Sequence, residues 1–167
     1  MDIRNHQDEN IRSQAVYSDC GLYRYALTRE WGVGKRVMFV MLNPSTADER
    51  KNDPTVERCE RRARAWGYGA FRVTNLFAFR ATDPRDLKSA QHAEGPQNRS
   101  ALIEGARWAD LVLCGWGTHG QHLGQGEHIR DLLSRNGVGL WHLGLTKHGL
   151  PRHPLYVAYS VSPQFWC

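Results

Sequence analysis

The sequence predicts an α/β fold with three layers, α/β/α, around a central four-stranded, mainly parallel sheet. Three observations lead there. Strand-like apolar runs alternate with helix signals along the chain. The run Arg36–Leu42, apolar from Val37 on, is continuous as in parallel strands buried on both faces. Helical stretches open on Asp-Pro or close at glycine, the punctuation of helix ends.

Residues 1–21 are polar and weakly patterned, and read as a loose N-terminal arm ahead of one domain over 22–167. Residues 22–31 read as an edge strand. The first core strand is Arg36–Leu42. Asp53 then caps a helix with Pro54 at its first position, running to about Trp66 and stopping at Gly67. Arg58, Arg61, Arg62 and Arg64 on it read most simply as a solvated face, and such a face also suits phosphates. Phe71–Phe77 is the second strand, followed by a short helix opened by Asp83-Pro84 and a longer one from about Gln97 to Trp108. Leu111–Gly115 is the third strand, about Glu127–Ser134 the next helix and Gly139–Leu143 the fourth strand.

At 167 residues the chain can bury a sizeable single core. Its 41% apolar and 23% charged residues mark a globular rather than a disordered chain. No apolar run approaches the roughly 20 residues that span a bilayer, and the first thirty residues are too polar for a signal peptide. A cytoplasmic protein without a membrane partner is expected. Cys20, Cys59, Cys114 and Cys167 lie far apart, so reduced thiols are expected rather than a zinc site. His119, His122, His128, His142, His148 and His153 match no metal-binding spacing, and no phosphate-binding glycine loop is present. No metal and no cofactor are expected. The net charge of +5 permits a nucleic-acid partner, and a plain basic surface accounts for it equally well.

Leu42-Asn43-Pro44-Ser45, Val73-Thr74-Asn75-Leu76, Trp116-Gly117-Thr118-His119 and Arg152-His153-Pro154-Leu155 fall at or beyond strand ends, where open α/β sheets bind ligands. One mouth of the sheet would thus gather Asn43, Asn75 and His153. Two amides and an imidazole can read a base edge, place a water and stabilise a leaving anion. The plainer readings are an Asn-Pro turn, a strand-end asparagine bonded to backbone and a surface loop histidine.

In this order the four strings resemble the uracil-DNA glycosylase superfamily, across roughly residues 36–156. Val40–Pro44 looks like the first motif of its mismatch-specific branch. Val73–Leu76 is similar to the segment whose asparagine contacts the flipped base. Gly115–Gln121 resembles the Trp-Gly-Ser-His-Ala-Gln segment, and His153–Leu155 a shortened His-Pro-Ser-Pro-Leu loop. The resemblance implies a monofunctional, monomeric DNA glycosylase that extrudes a nucleotide and hydrolyses its N-glycosidic bond. It needs no metal and no organic cofactor.

The resemblance also implies roles. His153 donates to the departing base, and Asn43 orients the water where uracil-removing members carry aspartate. An amide cannot take a proton, so Asp48, five residues on, is a candidate carboxylate, or simply a polar loop residue. Leu42, Ser45 and Asn75 shape the base pocket. Ser45 replaces a bulky tyrosine that blocks substituents at pyrimidine C5, which implies a pocket open to C5-modified pyrimidines. Repair of damaged bases and attack on modified phage DNA both fit. Pro44, Thr46, Thr118 and His119, with Ser45, suit DNA contacts, and Lys147 and Arg152 give the last loop a basic character. Leu155 or Tyr156 fills the gap in the base stack, although packing back onto the sheet competes for Tyr156. No lysine lies in the core motifs, so a Schiff-base lyase lacks an obvious nucleophile; Lys147 is the nearest. Two alternatives remain: an inactive nucleic-acid-binding module on the same fold, and a hydrolase of free nucleosides or nucleotides.

Overall fold

Alternate residues of the first core strand face opposite sides, and that alternation organises two hydrophobic cores. The computed structural model describes residues 1–167. Its strands are β1 (Asp2–Asp8), β2 (Ile11–Tyr17), β3 (Arg24–Glu30), β4 (Arg36–Met41), β5 (Ala70–Asn75), β6 (Leu111–Cys114), β7 (Leu140–His142) and β8 (Gln164–Phe165). Its helices are α1 (Pro54–Ala65), α2 (Pro84–Ser89), α3 (Asn98–Trp108) and α4 (Gln125–Arg135).

The expectation of a four-stranded, mainly parallel sheet in an α/β/α arrangement is wrong. The chain forms one eight-stranded mixed sheet in the order β1-β2-β3-β5-β4-β6-β7-β8. Four of its seven neighbouring pairs run antiparallel. The four strands legible in the sequence are its parallel centre, joined by helices because parallel neighbours need a crossover. The others, β1–β3 on one side and β8 on the other, add to that centre as antiparallel strands. β1 and β2 form a hairpin with Asp8 opposite Ile11, so most of residues 1–21, expected as a loose arm, is part of the sheet. That hairpin covers β3, which is therefore an interior strand and not an edge. β1 escapes sequence reading because its side chains are largely exposed, with no apolar face to mark it. In β2 the inward positions Ser13, Ala15 and Tyr17 alternate correctly but include only one large apolar residue.

The first core packs Val56, Cys59 and Ala63 of α1 against Phe39, Phe71 and Val73. Phe39 is fully buried, stacked on Trp66 and edge-on to Phe71, with centroids 6.2 and 6.3 Å apart. Burying a side chain of this size contributes about 1.5–3 kcal/mol. The second core packs Leu87 of α2, Leu102 and Ala106 of α3 and Ile129 and Leu133 of α4 against Met38, Val40 and Val112. One helix thus lies on one face and three on the other. Connections leaving β4 and β6 depart to opposite faces, through α1 and α4 respectively. They part above the ends of β4 and β6 and open a crevice there.

Arg62 departs from the expected solvated face of α1. It is 1% exposed and donates to the carbonyl oxygens of Val157 (2.6 Å), Ala158 (3.3 Å) and Pro154 (3.4 Å). One helical arginine thereby ties down the segment just after His153. All four cysteines are free, and no helix is long and apolar enough to cross a membrane.

Candidate functional site

A cleft of about 630 Å³ opens at the crevice, within the size range of small-ligand pockets. Ten of the fourteen residues singled out from the sequence line it: Leu42, Asn43, Ser45, Asn75, Thr118, His119, Arg152, His153, Leu155 and Tyr156. Pro44, Thr46, Asp48 and Lys147 do not.

Asn43 follows β4, and the loop fixes which way its amide points. Nδ2 donates to the Ala81 carbonyl at 2.7 Å and to that of Pro44 at 3.1 Å. Because both partners are acceptors, the nitrogen is identified by its bonds. Oδ1, with no protein donor, is left as an acceptor. Pro44 serves this loop instead of the cleft, its carbonyl also accepting from the Ala81 N–H at 3.0 Å.

Asn75 ends β5 and is 1% exposed, yet neither its Oδ1 nor its Nδ2 has a hydrogen-bond partner. Nearly all buried polar side chains are paired, so an amide left wholly unpaired against a cleft is exceptional. Its backbone is held firmly by two other side chains. Asn98 Nδ2 donates to the Asn75 and Leu76 carbonyls at 2.9 and 3.1 Å, and Gln125 Nε2 donates to Leu76 at 3.1 Å. The strand end is rigid and the amide is free.

His153 reaches the cleft because two glycines clear its path. A Cβ on Gly115 would lie 3.0 Å from Pro154 Cδ, and Gly117, at φ +73°, lies directly under His153. His153 Nδ1 accepts the Leu155 N–H at 3.2 Å. In the neutral ring the proton therefore sits on Nε2, which is left to donate. Burial pulls His153 down to about 4, against a smaller upward pull from Asp53, so the imidazole is neutral at physiological pH.

Ser45 Oγ donates to Thr82 Oγ1 at 3.2 Å, and this small pair walls the cleft where a bulky side chain would fill it. Tyr156 is 75% exposed and Leu155 partly buried, so the packing of Tyr156 back onto the sheet does not occur. Arg152 is exposed, with Nη2 donating to the Tyr156 carbonyl at 2.9 Å. Thr46 and Lys147 are exposed outside the cleft.

Asp48 is engaged elsewhere. Its Oδ1 accepts the Arg50 and Lys51 N–H groups, each at 2.8 Å. Burial works against its charge, but those amides and the nearby Arg29 outweigh it and hold the carboxyl below its ordinary range. The carboxylate in the cleft is Asp53, which also caps α1 by accepting from Val56 N at 2.9 Å and holds the preceding loop by accepting from Ala47 N at 3.2 Å. Sequence reading saw Asp53 only as a cap. Its distance of ten residues from Asn43, at the start of the next helix, was the available signal. Arg24 and Thr82 also line the cleft and carried no signal at all, since the first lies on a strand read as an edge and the second in a loop. No group of three or more His, Cys, Asp or Glu side chains is placed to hold a metal ion.

Fold and site together define a mixed α/β protein with a polar ligand cleft at the carboxyl ends of its parallel strands. The chain belongs to the family described as Protein of unknown function (DUF1643), whose model matches residues 24–155. That span runs from the first residue of β3 to the turn after His153, leaving β1, β2 and β8 outside. No curated protein and no solved structure matches the chain.

Proposed function

We propose that this protein is a monofunctional, cytoplasmic DNA glycosylase that extrudes a C5-substituted pyrimidine nucleotide into the cleft and hydrolyses its N-glycosidic bond. The observation that carries the reading is Asn75: a buried amide on a rigid strand end, with both acceptor and donors unpaired. A pyrimidine edge offers the complementary donor and acceptor, and pairing with it would remove the cost of an unsatisfied group. The superfamily relationship belongs to this proposal and rests on the four strings rather than on the architecture of the sheet.

The remaining groups supply the rest of the chemistry. As the glycosidic bond lengthens, positive charge develops on the sugar and negative charge on the departing base. His153, neutral with its proton on Nε2, donates to that developing anion without adding a full charge to the site. Asn43 Oδ1, fixed by the two bonds to Nδ2, accepts from a water and aims it at the sugar. It cannot deprotonate that water, so attack draws on the cationic character of the sugar rather than on a strong base, and the proton the water then sheds is balanced by the one the departed base anion takes up. The small Ser45–Thr82 wall leaves space beside the base for a C5 substituent. The exposed Tyr156 beside Leu155 suits a wedge into the vacated stack, which favours polymer over free nucleotide. Action on modified phage DNA, as a defence, is one setting for such a specificity.

The test is incubation with DNAs carrying a range of C5-modified pyrimidines, with mass spectrometry of any released base and alkaline cleavage at abasic sites. Release of at least one modified base, abolished by Asn43→Ala and His153→Gln, is expected. Rapid release of plain uracil with rejection of every C5-modified base would overturn the specificity. Absence of release from all DNAs would overturn the activity.

A further inference from the structure

We infer that Arg24 is a receptor for a singly charged phosphate, and that the wall of the cleft formed by Arg24 and the start of α1 is a phosphate subsite. On the glycosylase reading, on which this rests, the ligand is a phosphodiester flanking the extruded nucleotide.

Arg24 begins β3 and is 1% exposed, and its remaining surface faces the cleft. The only protein acceptor of its guanidinium is the Ala47 carbonyl oxygen, 2.7 Å from Nη1. Nε is buried without a partner. No carboxylate lies within salt-bridge distance of it, although the chain forms salt bridges at many exposed arginines. Burial draws Arg24 down to about 10, with Asp53 opposing, so it is still a cation at neutral pH. A buried cation with most of its donors idle is costly unless something anionic completes it. A guanidinium edge, with adjacent N–H groups in one plane, matches two phosphate oxygens.

A second feature points the same way. α1 starts at this wall, and its positive dipole end faces the cleft. Pro54 has no N–H, Val56 N–H goes to Asp53 Oδ1 and Glu57 N–H to the Asp53 carbonyl, which leaves the Thr55 amide and hydroxyl at the cleft. Asp53 limits the charge that the subsite accepts. One guanidinium, one carboxylate and a helix end of about half a positive charge sum to a weakly positive site. Such a site suits the single charge of a phosphodiester better than the double charge of a phosphomonoester. Burial of Arg24 beneath the Ala47 loop distinguishes this subsite from the exposed threonines and the basic last loop, which contact DNA only at the surface.

The test is a cycle between protein and ligand, read as binding so that it stands apart from catalysis. The probes are oligonucleotides with a tetrahydrofuran abasic-site analogue, carrying native phosphates or one neutral methylphosphonate 5′ or 3′ of it. Affinity is measured by fluorescence anisotropy for the wild type, Arg24→Gln and Arg24→Lys, with thermal melts to verify folding. Arg24→Gln is expected to weaken the native probe about tenfold or more and the probe neutralised at one of the two positions less than twofold. Arg24→Lys, which keeps the charge without the planar edge, should fall between. Competition by pyrimidine 5′-monophosphates and by inorganic phosphate separates a free phosphate from the diester, which is expected to prevail. Equal losses on native and neutralised probes would overturn the proposal, as would tighter displacement by a 5′-monophosphate than by the oligonucleotide. Coupling in binding without base release from any DNA would leave the subsite standing and overturn the glycosylase reading instead.

Discussion

Asn75 makes a prediction that runs against the usual effect of a core mutation. Asn75→Leu replaces an amide by an apolar group of similar shape at a position 1% exposed. In the free protein the amide has lost its hydration and gained no protein partner at either polar atom. An unsatisfied buried group costs about 1–3 kcal/mol, and removing it without loss of volume recovers that cost. Asn75→Leu should therefore stabilise the free protein by about 1–3 kcal/mol, a rise in melting temperature of roughly 2–12 °C for a chain of this size. On the proposed glycosylase reading, base release should fall at least a hundredfold at the same time, because the cleft loses the unpaired amide that the proposal assigns to the base edge. Thermal melts and single-turnover release on the best modified DNA give both numbers. Ordinary destabilisation with activity retained would refute the reasoning, since it would mean that the amide is satisfied within the free protein and reads nothing. Asn75→Ala is the companion variant: it removes the same polar atoms but opens a cavity, so any stabilisation should shrink or reverse.

The remaining predictions concern the turn that carries His153. Arg62→Met removes the donor shared by the Pro154, Val157 and Ala158 carbonyls and should cost about 2–3 kcal/mol of stability. Hydrogen exchange should quicken at residues 154–158 more than in β4, and protection unchanged across the turn would show that Arg62 does not hold it. For His153, the folded value of about 4 lies below the ordinary 6.5, so the unfolded chain binds the extra proton between those limits. The sign follows: the neutral ring favours folding above about pH 6.5, and that contribution is lost as pH falls towards 4, by up to about 3 kcal/mol. Chemical denaturation across this window should show His153→Gln losing less stability than the wild type, and parallel pH curves would contradict the assignment.

The parallel strands and their helices were legible because each carries a local physical mark. β4 from Val37 onward and β6 are apolar since both of their faces are covered, and α1 and α2 announce themselves by Asp-Pro caps whose carboxylates accept from Val56 and Arg85. Of the antiparallel flank only β3 was legible as a strand, and its interior place was not. β1 has no buried face, and β2 and β3 are strands mainly because they pair with one another and with β5. Pairing between chain segments is a non-local energy that side-chain periodicity does not report.

The candidate site divides in the same way. By itself the sequence determined which residues stand at the carboxyl ends of parallel strands, since the ends of apolar runs are written in the chain; Asn43 and Asn75 follow from that, whereas His153, well past the end of β7, was singled out by its place in the four strings. Only the tertiary structure decided their chemical state. The Ala81 carbonyl that orients the Asn43 amide, the burial that keeps His153 neutral and the lack of any partner for Asn75 all depend on segments distant in sequence. It also moved the carboxylate of the cleft from Asp48 to Asp53 and turned Arg62 inward. Arg24 is the extreme case. As one arginine among many it is silent in the sequence, and it becomes a candidate anion receptor only because the fold buries it beside the cleft with no carboxylate in salt-bridge distance and its Nε unpaired. The physical reason is general: strand ends are set by local composition, whereas burial and hydrogen-bond satisfaction are set by what the rest of the chain brings near.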